Sequence, residues 1–163
     1  MQILVDADSC PRQAREMVLR FSARLGIKSI FAANRPIPGI PRVPEMQNPK
    51  LTETAAMELC KQDDGAADKR IIELAKPGDL VITRDIPLAE KLVEADITVL
   101  DDRGRIFTKE NIKERRSLRD FTVGLAENGL EFERTPSYGR KELNTLANSL
   151  DRELSRLVSR TQK

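Results

Sequence analysis

The chain of 163 residues has no histidine, no tryptophan, two cysteines and an aromatic content of only 4%. Without histidine, every mechanism that needs an imidazole as base, nucleophile partner or metal ligand is excluded. Cys10 and Cys60 lie far apart in a pattern that matches no CxxC or zinc spacing, so neither a disulfide framework nor a zinc ribbon is expected. Long apolar runs are missing too. Nothing approaches the ~20 uninterrupted apolar residues that a membrane span needs. The opening run Met1 to Val5 meets Asp6 before the apolar region of a signal peptide could form. The expectation is a cytoplasmic protein with no membrane partner, and the groups left for chemistry are chiefly carboxylates, which are ligands for hard cations.

The charge that is present is unevenly spread. A net charge of +2 conceals +4 over residues 1–44, −7 over 45–102 and +5 over 103–163. The acidic middle is where cations are expected. Eighteen of the 28 basic residues are arginine, whose planar fork fits phosphate. Solvated helix faces need charge as well, so a phosphate-binding surface and ordinary surface polarity both stay open.

Gln2 to Val5 is a short β-branched run ending in Asp6-Ala7-Asp8. A helix is expected next, capped by Ser9 or Cys10 with Pro11 in its first turn, since Ala14, Val18, Phe21 and Leu25 recur at helical spacing and Gly26 stops it. Ile27 to Ala33 reads as a second strand. Five prolines between Asn34 and Pro49 forbid a helix and allow at most one short strand near Ile40 to Val43. Leu51 to Cys60 has a helical pattern, Asp63-Asp64-Gly65 breaks it, and a helix from Ala66 to Ala75 carries Asp68 in its first turn. Leu80 to Thr83 and Ile97 to Leu100 suit strands buried on both faces, with a helix from Pro87 to Ala95 between them and a short strand at Arg105 to Thr108 after them. Helices are expected at Lys109 to Arg116, Leu118 to Asn128 and Lys141 to Arg160. The last carries Leu143, Leu146, Leu150, Leu154 and Leu157 on one stripe, which packs on the sheet or on a partner copy, so a homodimer stays open. Alternating strands and helices imply an α/β fold with a mostly parallel sheet.

Carboxylates gather where strands end. Asp6 and Asp8, two apart in an extended chain, address the same side just beyond the first strand. In open α/β sheets that end is where ligands bind. Val81-Ile82-Thr83-Arg84-Asp85 delivers a hydroxyl and a carboxylate in the same way, and Asp68 can reach in from a helix start. Converging carboxylates repel one another and raise each other's pKa, a cost that bound Mg²⁺ or Mn²⁺ removes. The structural alternative has Asp8 capping a helix and Asp6 paired with an arginine.

Val5-Asp6-Ala7-Asp8-Ser9-Cys10-Pro11, Ala66-Ala67-Asp68 with Ile71, the run from Gly78 to Ala89 and Arg119-Asp120-Phe121 resemble the bacterial YaiI/YqxD family, whose fold is similar to PIN-domain nucleases. The resemblance covers nearly the whole chain in the right order. It implies a three-layer PIN-like domain over 1–163, with 109–163 as a helical C-terminal extension. It places the acidic cluster of such nucleases on Asp6, Asp68 and Asp85, with Asp8 as a further member and Thr83 as the hydroxyl before the last acid. One departure touches this cluster: Gly65 stands where such sequences often carry an acid.

The expected activity is metal-dependent hydrolysis of RNA or single-stranded DNA, the carboxylates holding Mg²⁺ or Mn²⁺ and arginines positioning the strand. Arg35 and Arg42 in the proline-rich segment, with Arg115, Arg116 and Arg119, are the candidate phosphate contacts. Two alternatives stand beside it. A haloacid-dehalogenase-like phosphatase is suggested by the DxD and by Ile97 to Asp102, and a non-catalytic RNA- or partner-binding module by Gly65. Cys10 sits at a helix start, but Asp6 and Asp8 nearby disfavour its thiolate, so it is expected to be structural.

Overall fold

The computed structural model describes residues 1–40, 54–63, 65–129 and 137–161. Six strands form one sheet in the order β3-β2-β1-β4-β5-β6: β1 (Ile3–Asp6), β2 (Ser29–Ala33), β3 (Ala55–Leu59), β4 (Leu80–Ile82), β5 (Thr98–Leu100) and β6 (Ile106–Phe107). All neighbours run parallel except β6, which returns antiparallel to β5. Among the described residues five helices accompany them: α1 (Arg12–Leu25), α2 (Ala66–Leu74), α3 (Ile86–Glu94), α4 (Lys109–Glu127) and α5 (Arg140–Thr161).

The central strands β1, β2 and β4 are almost wholly apolar because both faces are covered. Ile3, Val5, Phe31, Leu80, Ile82 and Leu100 pack on one side with α1 and α5, whereas Leu4, Ile30, Val81 and Val99 pack on the other with α2, α3 and Ile112 of α4. The result is a three-layer α/β domain. Leu146, Leu150, Leu154 and Leu157 are buried in the first of these clusters, so the stripe on α5 is spent within the chain. No helix among the described residues is long and apolar enough to cross a membrane.

Three local expectations are corrected. Residues 55–59 form a strand, not part of a helix: Ala55 to Leu59 pair in register with Ser29 to Ala33, and ladder hydrogen bonds with β2 outweigh the helical preference of Ala-Ala-Met-Glu-Leu. Residues 109–127 are one helix, because Ser117 is a mild helix former that supplies no break. Thr108 starts it with a capping box, its hydroxyl accepting from Asn111 N while the Asn111 side chain accepts from Thr108 N. The N-cap of α1 is Pro11, with no side-chain cap, because the Ser9 hydroxyl is engaged elsewhere. Beyond Ile40, the strand expected at residues 40–43 lies outside the described residues.

The topology fixes where a ligand can sit. From β1 the chain winds outward through β2 to β3, then crosses back to β4 and winds the other way, so the strand order reverses between β1 and β4. The carboxyl ends of these two strands therefore flank the crevice that open parallel sheets use for ligands.

Candidate active site

β1 ends at Asp6, and the turn Ala7 to Cys10 is drawn tight by Cys10 N donating to Asp6 O at 3.2 Å and by Arg15 of α1 reaching back to the carbonyls of Ala7 and Cys10. β4 is adjacent and parallel, Val5 standing beside Ile82, so Thr83 to Asp85 emerge next to Asp6. α2 descends from the other side of the crevice with Asp68 in its first turn. An open cleft of about 410 Å³ results, lined by Asp6, Asp8, Ser9, Asn34, Gly65, Ala67, Asp68, Arg84 and Asp85. All four candidate aspartates line it.

Each carboxylate is held differently. Asp6 is 4% exposed, and its Oδ2 accepts from Ser9 Oγ at 2.6 Å and from Thr83 Oγ1 at 2.8 Å. Thr83, fully buried, also accepts from Asp85 N at 3.0 Å, so one hydroxyl ties the ends of β1 and β4 together. Asp85 caps α3, its Oδ1 accepting from Leu88 N at 2.7 Å. Asp8 accepts from Asn34 N at 2.6 Å and lies 3.4 Å from Arg35 Nε. Thus neither half of the structural alternative is observed: Asp6 has no arginine partner among the described residues, and Asp8 caps no helix. The Asp68 carboxyl is pushed above the ordinary carboxylate range, first by burial and then by the charges of Asp85 and Asp6, with Lys91 opposing. That coupling is the electrostatic signature of acids sharing one small space.

Among the described residues, no group of three or more Cys, Asp or Glu side chains is arranged to hold a metal ion. The donor chemistry nevertheless fits a hard divalent cation. Magnesium keeps several waters and takes one or two carboxylates plus substrate oxygens, so three direct acids are not required. Asn34 adds a neutral oxygen: its Oδ1 is buried and has no hydrogen-bond partner among the described residues. Gly65 has φ +75 at the N-cap of α2, a left-handed conformation that an acidic residue would adopt only with strain.

The candidate arginines are placed less simply. Arg35 reaches the cleft rim through Asp8. Arg42 lies outside the described residues. Arg115 stacks over the Phe107 ring, Arg116 pairs with Glu90 and Asp120, and Arg119 pairs with Asp120; none of the three lines the cleft. Ser9, Asn34 and Arg84 do line it, although Ser9 is expected from sequence only as a helix cap and the other two have no expected part in the chemistry. Arg84 carried the best available signal, lying between Thr83 and Asp85 at a strand end. Cys10 is buried, and burial, Asp102 and Asp6 all raise its thiol pKa, which makes it a packing residue.

Comparison with known proteins gives a consistent assignment. The family described as "Uncharacterized BCR, YaiI/YqxD family" matches residues 4–156. The chain is similar to the UPF0178 protein of Treponema pallidum (strain Nichols), with 46% identity over 158 residues covering 97% of this chain and 84% of that protein. It is also similar to the UPF0178 protein of Treponema denticola, at 42% over 97% of this chain and 94% of that one, and to that of Myxococcus xanthus, at 38% over the full length of both. No solved structure matches the chain.

Proposed function

The chain belongs to the YaiI/YqxD family, and from that premise and the geometry of its cleft we propose that it hydrolyses phosphodiesters of RNA or single-stranded DNA with Mg²⁺ or Mn²⁺. The observation that carries this reading is the meeting of Asp6, Asp8, Asp68 and Asp85 in one cleft at the reversal of strand order, with the Asp68 carboxyl raised by two of its neighbours. One or two of Asp6, Asp68 and Asp85 would hold the ion directly and the remainder through its waters, with Asn34 Oδ1 as a neutral oxygen donor and Asp8 at the rim. A bound divalent ion supplies an activated water and offsets phosphoryl charge. The protein's own groups do the rest. Ser9 and Thr83 fix one oxygen of Asp6, which orients the other without further reorganisation. The bond from Asp85 Oδ1 to α3 orients that carboxylate likewise. Arg35 at the cleft rim would supply positive charge along a strand's approach.

The phosphatase alternative is weakened at Asp101. Its Oδ1 accepts from Arg103 N and Arg105 N and its Oδ2 from Arg105 Nε, so this carboxylate is consumed by its own turn. The binding-module alternative draws on the missing three-acid group and predicts no metal response.

The test is cleavage of labelled single-stranded RNA and DNA with Mn²⁺ and with chelator, beside the thermal shift caused by Mn²⁺ alone. Wild type should cleave and be stabilised by the ion, as any ligand that binds only the folded state stabilises it. Asp6→Asn and Asp85→Asn should fall to the chelated rate, and Asp68→Asn should lose most of the shift. Equal rates in all variants, or no shift in wild type, would overturn the reading.

A further inference from the structure

Within the cleft Arg84 is the basic residue among four acids, yet its ion pair is with none of them. Its Nε lies 3.5 Å from Oδ1 of Asp102, which sits behind the cleft in the turn after β5 and is 2% exposed. The other Asp102 oxygen, Oδ2, is buried and has no hydrogen-bond partner among the described residues. A buried carboxylate oxygen without a partner costs free energy, and such groups persist where something else requires the charge. The side chain of Arg84 is 45% exposed, and among the described residues its Nη groups make no hydrogen bond. The guanidinium is thus paired through Nε with a carboxylate behind the cleft, while the half-exposed side chain lines the cleft itself.

The turn beneath it is braced. Gly104 has φ +80, and a Cβ there would stand 2.6 Å from Thr145 O and 2.7 Å from the Leu146 backbone. Ser149 Oγ donates to Gly104 O at 2.6 Å, and Tyr138 Oη donates to Asp102 O at 2.7 Å. Close packing against α5 therefore fixes the height of Asp102 under Arg84. Other charges face this group: Asp101 and Arg103 act on Asp102 from its own turn, Cys10 in the turn after β1 feels both Asp102 and Asp6, and Glu142 of α5 takes up Arg103 at 3.4 Å.

We propose that Arg84 is the phosphate-gripping residue of the cleft and that Asp102 is the positioning residue that aims it. This rests on the phosphodiester reading above and deepens it. An acidic cleft repels a polyanion, so a strand that approaches the carboxylates needs a cation on the same wall. Arginine suits that task because its fork can meet two phosphoryl oxygens while a third donor stays on its carboxylate.

The probe is a labelled single-stranded RNA oligonucleotide, titrated in chelator over a salt series, with cleavage in Mn²⁺ followed in parallel. Arg84→Ala should raise Kd about tenfold and flatten the logarithmic salt slope by about 0.7, the share of one lost phosphate contact. Arg84→Lys should keep the slope while recovering only part of the affinity, since lysine offers a point charge in place of a fork. Asp102→Asn should raise Kd and KM severalfold in the Arg84 background and leave both unchanged in the Arg84→Ala background. Equal fold-changes in the two backgrounds would reduce Asp102 to a structural role and overturn the positioning claim. A wild type that binds or cleaves RNA with Arg84→Ala indistinguishable from it overturns the grip alone. A wild type that does neither overturns the phosphodiester reading and the grip with it.

Discussion

Thr83 joins the two halves of the sheet through a single hydroxyl, and Thr83→Val removes that hydroxyl while keeping the shape of the side chain. Two bonds are lost: the donation to Asp6 Oδ2 at 2.8 Å and the acceptance from Asp85 N at 3.0 Å. A hydrogen bond to a charged group contributes about 1.5–3 kcal/mol, and leaving a buried N–H unpaired costs about 1–3 kcal/mol. The added methyl returns about 0.8 kcal/mol of burial. Asp6 keeps its bond from Ser9, which holds the net loss to about 3 kcal/mol. At about 2.1 cal/mol/K per residue, a chain of 163 residues should then melt about 9 °C lower. Urea unfolding of wild type, Thr83→Val, Ser9→Ala and the double variant measures the loss and its coupling. Ser9 and Thr83 share one acceptor oxygen, so the two effects should not add. A Thr83→Val chain within about 0.5 kcal/mol of wild type, or strict additivity, would refute the bridge. Cleavage should fall as well, because the Asp6 carboxylate loses one of the two donors that orient it.

Gly104→Ala forces a Cβ into the α5 backbone at a left-handed position, and should cost at least about 3 kcal/mol by combined strain and overlap, whereas Gly26→Ala, in open space, should cost only the conformational part; paired denaturation curves compare them. Leu150→Ala, on the buried face of α5, should lose about 2–5 kcal/mol in urea unfolding without a change in molecular weight by light scattering, since the stripe is spent inside the chain. Burial, with Asp101 adding and Arg84 opposing, raises the Asp102 carboxyl above its ordinary value. The unfolded chain therefore gives up this proton at lower pH than the folded one, stability falls as pH rises through that window, and the melting advantage of Asp102→Asn over wild type should grow from acid toward neutrality. Cys60, half-buried, should react with a thiol reagent before Cys10, which should react only on unfolding, and native alkylation should leave cleavage intact.

The parts of this architecture that were legible in the sequence are those where one signal dominates. Leu80 to Ile82 and Thr98 to Leu100 are apolar runs bounded by turn residues, and both became buried strands. Ala55 to Leu59 carries a helical composition, and only its pairing with β2, a contact from far along the chain, made it a strand. At the site, Asp6, Asp8, Asp68 and Asp85 could be grouped because acids at strand ends and helix starts stand out against apolar surroundings. Ser9 and Asn34 could not, since small polar residues after a strand look like any turn. Arginines on α4 attracted notice by number, and the fold gave them acids and a ring on their own surface. Arg84, a single basic residue between two polar neighbours, stood where number gave no hint and position did.

The leucines of α5 lie against β1, the first strand, and the helix also braces the turn that carries Asp102. During synthesis, then, the strand bearing Asp6 and the α1 helix that follows it are made early, and the layer they begin is completed only some hundred and forty residues later, when the leucines of α5 are added. A nascent chain can lay down the sheet's sequence long before it can complete its hydrophobic layer. The turn that carries Asp102 therefore takes its final packing only after α5 has been made.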